Sequence, residues 1–385
     1  MNEMVNENNV VVFGAGAAGK GLIGLLFAQA GYHVTFVDIK DDLVQRLRAS
    51  GKYHVLLHCL DGSRREHVVE GFHILRAGDR DAIAQEITRA AFVLTAVFPQ
   101  NLPDVAQTVA LGLEECRRAG RQVPLNCIAC ENMKNSSSTL CRYVAERLKA
   151  EVLEYSDAHV GFPDCMINRV VPAPFDPLRV ETEDYCEWTA DAGALKGTPP
   201  ERIDFIEWVH NQNARLDRKL MVYNGAHAAC AYFAFPRGHT WIHEAVTDSA
   251  VATLVEGTLN ELAAVVQRLH GFNEEAMGDY KRDFWLRARN AGMKDTIVRI
   301  ARQPIRKLGR HERLIAPAKL AQQYGLRRQH ILRAILVAVE FRYAEDAESV
   351  ELARRLSRDG LRRTLATVSD LPPDDSLLDE LANIL

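Results

Sequence analysis

Three polar residues set in an apolar stretch carry the chemistry that this chain can do. In Lys219-Leu-Met-Val-Tyr-Asn224-Gly-Ala-His227 the apolar residues recur at helical spacing. At about 100° per residue Lys219, Asn224 and His227 fall within an arc of about 140°, so they can converge on one pocket. Oxidising an alcohol without a metal needs a group that accepts the hydroxyl proton while hydride leaves. A lysine whose pKa is lowered by burial or by neighbouring positive charge can serve. Asn224 can donate a hydrogen bond to the developing alkoxide or carbonyl oxygen, and His227 can orient substrate hydroxyls or the base. Spacing alone suits a solvated lysine, a capping asparagine and a core histidine equally well.

A second constellation concerns a cofactor. Gly14-Ala-Gly16-Ala17-Ala18-Gly19 follows the apolar run Asn9–Phe13 and opens a helix-period stretch, the context in which G-x-G-x-x-G carries weight. Gly14 permits the tight turn, Gly16 lets backbone approach a pyrophosphate, and Gly19 lets the helix pack close to the strand. The N–H groups of the helix start then face the phosphates. Asp38 closes the next apolar run, where a carboxylate accepts from the adenosine ribose hydroxyls and repels a 2′-phosphate. NAD is therefore expected over NADP, although Lys40 nearby softens that discrimination and Asp38 also suits a turn cap. FAD proteins share the fingerprint; a helical second half argues against one.

Arg299, Arg302, Arg306, Lys307, Arg310 and Arg313 concentrate positive charge in residues 299–313, with Pro304 fixing a turn among them. A phosphate ester needs such charge, preferably from guanidinium forks; a charge run is also what a solvated face looks like. Arg169 is a further phosphate candidate, and it equally suits pairing with an acidic neighbour.

Elements must position these groups. Asn9–Phe13, Val34–Val37, Phe92–Val97 and Val123–Ala129 read as strands, with Val55–Cys59 and Glu66–Leu75 as further strand material. Helices are expected over Gly21–Ala30, Leu43–Ala49, Asp81–Arg89 and Leu102–Arg118, and after a Ser/Asn-rich stretch through Leu148. Strands alternating with helices imply a mainly parallel sheet covered on both faces. From about Glu201 helix-period stretches take over: Phe205–Phe235, Ile242–Leu269, Leu326–Arg342 and Ala347–Leu365. The expectation is an α/β Rossmann-type domain over 1–200 and a mostly all-α domain over 201–385, divided near the helix-stopping Gly197–Pro200. Asn132 falls just past a strand, at the carboxyl edge where such sheets bind ligands.

A chain of 385 residues exceeds what one core usually organises, which agrees with two domains. Its net charge of −4 argues against a nucleic-acid footprint over the whole surface. Apolar runs such as Ala91–Pro99 fall short of the roughly 20 residues that span a bilayer, and the polar start Met1–Asn9 lacks the regions of a signal peptide. No membrane and no nucleic-acid partner are expected, and the cytoplasm is the expected location. The eight cysteines should then be reduced. Cys127-Ile-Ala-Cys130 has half a zinc-knuckle spacing without a second pair, so no metal is expected.

The Lys-x4-Asn-x2-His arrangement of Lys219, Asn224 and His227 resembles the catalytic pattern of the polyol-specific long-chain dehydrogenases and reductases. That is a zinc-independent family with a Rossmann domain and an all-helical second domain. The similarity runs over nearly the whole chain: Phe13-Gly-Ala-Gly16 with Gly19-Lys-Gly-Leu-Ile-Gly24, Pro124-Leu-Asn-Cys-Ile-Ala-Cys-Glu-Asn-Met133, His159-Val-Gly-Phe162, Asn168-Arg-Val-Val-Pro172 and Ala301-Arg-Gln-Pro-Ile-Arg-Lys-Leu308. The resemblance implies Lys219 as general acid/base, Asn132 and Asn224 polarising the reacting oxygen, and His227 contacting substrate. Members acting on unphosphorylated polyols or hexuronates do not typically carry Arg-x-Pro-x-x-Lys-Leu, so a sugar phosphate is the implied substrate, with Arg169, Arg302, Arg306 and Lys307 as phosphate candidates. The family usually has Gly-Asn-Ile-Gly-Arg-Gly-Phe in place of Gly16–Leu22 and Asn-Thr-Gly-His in place of Asn224–His227, which bears on substrate identity more than on reaction type. The implied reaction is reversible hydride transfer between NAD and a secondary hydroxyl of a hexitol phosphate, by a monomer or a homo-dimer.

Overall fold

Short valine-rich runs make the first sheet. In the computed structural model, which describes residues 8–172 and 174–384, six strands align: β1 Asn9–Phe13, β2 His33–Asp38, β3 His73–Arg76, β4 Ala90–Thr95, β5 Leu125–Ala129 and β6 Val160–Gly161. Their spatial order is β3-β2-β1-β4-β5-β6, and every neighbouring pair is parallel. Both faces are buried, as parallel sheets require. Along β1, Val10 and Val12 join one core while Val11 and Phe13 join the other, the two-residue alternation of a pleated strand. The strand order reverses between β1 and β4, which is where sheets of this kind bind ligands beyond their carboxyl ends.

Two smaller sheets attach to this unit. The expected strand material at Glu66–Leu75 divides: Arg64–Glu70 pairs antiparallel with Lys52–His58, and only His73–Arg76 enters the main sheet. Arg179–Glu183 adds in parallel to Lys52–His58. The third sheet joins Cys165–Asn168, Glu187–Asp191 and Glu207–Val209. With that last strand the first unit runs a little past Gly197–Pro200, to Gln212. Gln212 itself accepts a 2.9 Å hydrogen bond from Thr189.

The second unit, Asn213–Leu385, is helical. Its centre is the helix Asn224–Ala234, buried on nearly every side, as expected of a helix apolar all round. Around it pack Ser249–His270 and Gln329–Glu340, which contribute Val255, Leu259, Leu262, Ile331 and Ile335 to one core. Ser249–His270 is long and apolar enough to cross a membrane, alone in this among the described residues; its apolar face lies in this core. Gly225 makes the central crossing possible: a Cβ there would stand 2.9 Å from both the Arg313 carbonyl oxygen and Leu262. The α/β Rossmann-type first domain and mostly all-α second domain expected from the sequence are thus the architecture found. The polar N-terminal stretch read for an export signal lies almost wholly outside the described residues.

Candidate active site

The glycine turn is tight inside and open outside. A Cβ on Gly14 would lie 2.4 Å from the Ala96 carbonyl oxygen, and one on Gly19 would lie 1.8 Å from that of Gly14. A Cβ on Gly16 would meet nothing within 4 Å. Gly16 and Ala18 are exposed and Ala17 is half-buried, with the helix under way from Ala17. Gly14 and Gly19 thus permit close packing that a Cβ would block, while the backbone at Gly16 lies open. Asp38 braces the turn from β2, accepting from Ala15 N at 2.8 Å with one oxygen and from Lys40 N at 2.9 Å with the other. Each oxygen retains a second lone pair, so this turn-capping role and ribose recognition are compatible.

Lys20 holds the turn from below. It is 1% exposed, and its ammonium donates to the carbonyls of Ala15 and, at 3.4 Å, Gly16. Burial, with Lys40 adding to it and Asp38 opposing, lowers its pKa to about 8. Ala15 is thereby gripped at both ends of its backbone. The segment Gly19–Gly24 is π-helical, a form that recurs at functional sites.

At the carboxyl end of β5, Ser136 donates to the Ala129 carbonyl at 2.6 Å and Ser137 accepts from Ala129 N at 2.9 Å. This pair accounts for the Ser/Asn-rich sequence after the strand, since it closes the strand end before the helix Ser136–Ala145. Asn132 lies in the intervening loop and is exposed. The neighbouring Glu131 is buried and accepts from Thr95 Oγ1 at 2.6 Å and Val97 N at 3.0 Å; burial outweighs these bonds and raises its pKa.

In the second unit Lys219 sits on another π-helical turn, Arg218–Tyr223, inserted between Gln212–Asp217 and Asn224–Ala234. The Asn224 N–H closes that turn by donating to the Lys219 carbonyl. The angular estimate made at 100° per residue therefore does not apply across this segment, because an i→i+5 turn is wider than an α turn. Lys219, Asn224 and His227 are all partly buried. Around them lie fixed cations: Arg287 stacks over Tyr223 at 3.9 Å and Arg218 over Tyr280 at 4.4 Å. Tyr223 in turn lies against the His227 ring at 5.6 Å. His227 Nε2 is 3.4 Å from Asp295, and Arg299 bonds the other Asp295 oxygen at 2.8 Å through Nε.

The basic run is largely tied to its own unit. Lys307 is buried, with its ammonium turned onto the Arg302 carbonyl, and burial together with Arg313 and Arg306 brings its pKa down to about 7. Arg306 pairs with Glu312 at 3.5 Å and bonds Gln303 at 3.1 Å. Arg310 reaches the Asp370 carbonyl at 3.2 Å. Arg302 is exposed. In the first unit Arg169 donates from Nε to Tyr185 O at 2.9 Å and from Nη2 to Asp184 O at 3.0 Å, while its Nη1 is buried without a partner.

Known proteins share this arrangement. Residues 8–203 match the family model for the mannitol dehydrogenase Rossmann domain, and residues 213–383 match that for the mannitol dehydrogenase C-terminal domain. The chain belongs to the mannitol dehydrogenase family. Mannitol-1-phosphate 5-dehydrogenase of Brevibacillus brevis is 36% identical over 364 residues, 94% of this chain and 93% of that one. Two solved structures share the fold. Pseudomonas fluorescens mannitol 2-dehydrogenase, in ternary complex with NAD and D-mannitol, has TM-score 0.76 and 14% identity over 98% of this chain and 90% of its own. A substrate-free D-sorbitol dehydrogenase has TM-score 0.83 and 16% identity over 99% of this chain and 92% of its own.

As a member of the mannitol dehydrogenase family the chain is an oxidoreductase. Sequence reasoning passed over three groups that surround the candidate residues. Lys20 reads as one more polar residue of the turn; only its place just before the apolar Gly21–Gly24 hints at burial. Glu131, between Cys130 and Asn132, follows a wholly buried strand, which is a detectable signal. Asp295 is far from His227 in sequence, and no local pattern joins them.

Proposed function

We propose that this enzyme interconverts mannitol 1-phosphate and fructose 6-phosphate with NAD as redox partner. The identity of 36% to a mannitol-1-phosphate 5-dehydrogenase over nearly the whole chain is the observation that carries the substrate. The turn Gly14, Gly16, Ala17, Ala18 and Gly19 holds the pyrophosphate, with its open face at Gly16, and Asp38 receives the ribose hydroxyls. NAD supplies the site that accepts hydride. Lys219 takes the hydroxyl proton in oxidation and returns it in reduction, as a positioned general acid/base does. Asn224 donates to the reacting oxygen, and His227, set by Asp295, orients substrate hydroxyls. The phosphate is met by Arg302 and Arg306; Lys307, bonded to the Arg302 carbonyl, shapes that turn.

A second reading, in which the substrate is an unphosphorylated polyol or a hexuronate, is favoured by one observation: Arg299, Arg306, Lys307 and Arg310 all have partners within their own unit. NADH oxidation followed by absorbance, with fructose 6-phosphate and fructose supplied separately and each repeated with NADPH, decides between them. Turnover confined to fructose 6-phosphate with NADH supports the first reading. Comparable turnover with fructose refutes the phosphate assignment and leaves the family chemistry in place.

A further inference from the structure

Phe98 occupies a backbone conformation that suits glycine. Its φ is 72° and its ψ 146°, a combination that a residue with a Cβ rarely adopts, and Pro99 restricts it further. Strain of this kind persists only where the surroundings over-determine it. Here they do. Glu131 fixes Val97 N at 3.0 Å, the Asn101 amide holds the Val97 carbonyl, and Asn101 N donates to the Phe98 carbonyl at 3.1 Å. The product is an aromatic ring that is 71% exposed.

The place is specific. Phe98 follows the end of β4 and adjoins Val97, whose Cγ1 lies 3.3 Å from where a Cβ on Gly14 would stand. β4 flanks β1 on the side opposite to β2, and β2 carries Asp38. A dinucleotide whose adenosine ribose meets Asp38 and whose pyrophosphate lies on the turn extends its other half towards β4.

We propose that Phe98 is a cofactor-contacting residue whose ring packs against the nicotinamide half of the dinucleotide. The inference rests on reading Gly14–Gly19 as the dinucleotide turn. It explains why backbone strain and an exposed ring occur together: the strain presents the ring, and a flat heterocycle is what such a ring stacks on.

Two variants test it. Phe98→Gly removes both ring and strain, while Phe98→Ala removes the ring and keeps the strain, since alanine also bears a Cβ. Binding of NADH and of ADP-ribose, which lacks the nicotinamide, is measured by calorimetry alongside thermal unfolding. In both variants NADH should bind about three- to tenfold more weakly than to the parent protein, with ADP-ribose unchanged. Phe98→Gly alone should gain about 2–4 °C in Tm. A residue with a merely structural role would not lose affinity while gaining stability. Unchanged NADH affinity in both variants overturns the proposal, and equal weakening of NADH and ADP-ribose overturns the assignment to the nicotinamide half. Failure of the parent protein to bind NADH would instead remove the cofactor reading on which the proposal stands.

Discussion

Asp295 reaches His227 Nε2 at 3.4 Å with one carboxylate oxygen and bonds Arg299 with the other. The histidine is thus held by a carboxylate that a cation holds in turn. With Nε2 facing Asp295, Asp295 fixes how the ring is presented, and in the substrate-contacting role proposed for His227 the contact would fall to Nδ1.

Asp295→Asn should therefore lower kcat/KM and cost about 1–2 kcal/mol of stability at neutral pH, a range discounted because Arg299 is partly exposed. Burial alone would raise the Asp295 carboxyl; the bond to His227 and the charge of Arg299 outweigh it and hold the pKa below the ordinary 3.8. A depressed folded pKa contributes stability that is complete above the unfolded value and disappears as pH falls through the folded one. Urea denaturation of both proteins should show the difference intact at pH 6 and shrinking below pH 3.8. A pH-independent difference would mean that the carboxylate charge is not what matters.

Lys219→Ala should reduce kcat by about two to four orders of magnitude and leave NADH binding near that of the parent protein. The lysine is proposed to act on a hydroxyl proton, whereas the pyrophosphate is assigned to the turn Gly14–Gly19 of the other unit. Comparable loss of turnover and of NADH affinity, by steady-state kinetics and fluorescence titration, would remove Lys219 from the proton-transfer role.

The phosphate assignment separates two neighbours. Arg302 is exposed and Lys307 is turned inward onto the Arg302 carbonyl. Arg302→Ala should raise KM for fructose 6-phosphate about 10- to 100-fold, the scale of a lost charge-assisted hydrogen bond, with little change in Tm. Lys307→Met should leave KM nearly unchanged and Tm close to that of the parent protein, because the desolvation cost of the buried ammonium offsets its bond to the Arg302 carbonyl. The reverse pattern would exchange their roles.

Much of the sheet is legible in the sequence because strands buried on both faces appear as short unbroken apolar runs, as in Val10–Phe13 and Phe92–Thr95. The glycine turn is legible for a similar reason: close packing at Gly14 and Gly19 excludes any other residue type. The π turn at Arg218–Tyr223 is not, because one widened turn leaves the apolar spacing nearly unchanged while altering which side chains align. Nor is Glu207–Val209, which is a strand only because Glu187–Asp191 pairs with it. Lys20 and Asp295 owe their settings to contacts made after the chain folds, and composition says nothing about these.

Asp38→Ala should have two separable consequences. Loss of the proposed ribose acceptor and of its negative charge should raise the NADPH to NADH ratio of kcat/KM. Loss of the acceptor for Ala15 N and Lys40 N should cost about 1–2 kcal/mol of stability. Asp38→Asn keeps one acceptor oxygen and removes the charge, so it should recover part of the stability while retaining the relaxed preference. An unchanged preference in both variants would assign ribose recognition elsewhere.

Lys20 links stability to pH with the opposite sign to a lysine that gains an acidic partner on folding. Burial lowers its pKa from 10.5 to about 8, so between those values the unfolded chain binds the proton that the folded chain has released. Stability from this group therefore rises with pH across that window and is lost as pH falls through about 8. Lys20→Met fills the same space without titrating and gives up the bonds to the Ala15 and Gly16 carbonyls. Relative to this variant, the parent protein should gain on the order of 2 kcal/mol between pH 7.5 and about pH 10, read from urea midpoints of the two proteins side by side so that other titrating groups cancel. At neutral pH the variant should be nearly as stable as the parent, because the desolvation cost of the ammonium offsets its hydrogen bonds. It should nonetheless bind NADH more weakly, since the Ala15 peptide is then gripped only by Asp38. A difference in stability that stays flat across the window would show that the ammonium is better solvated than its burial implies.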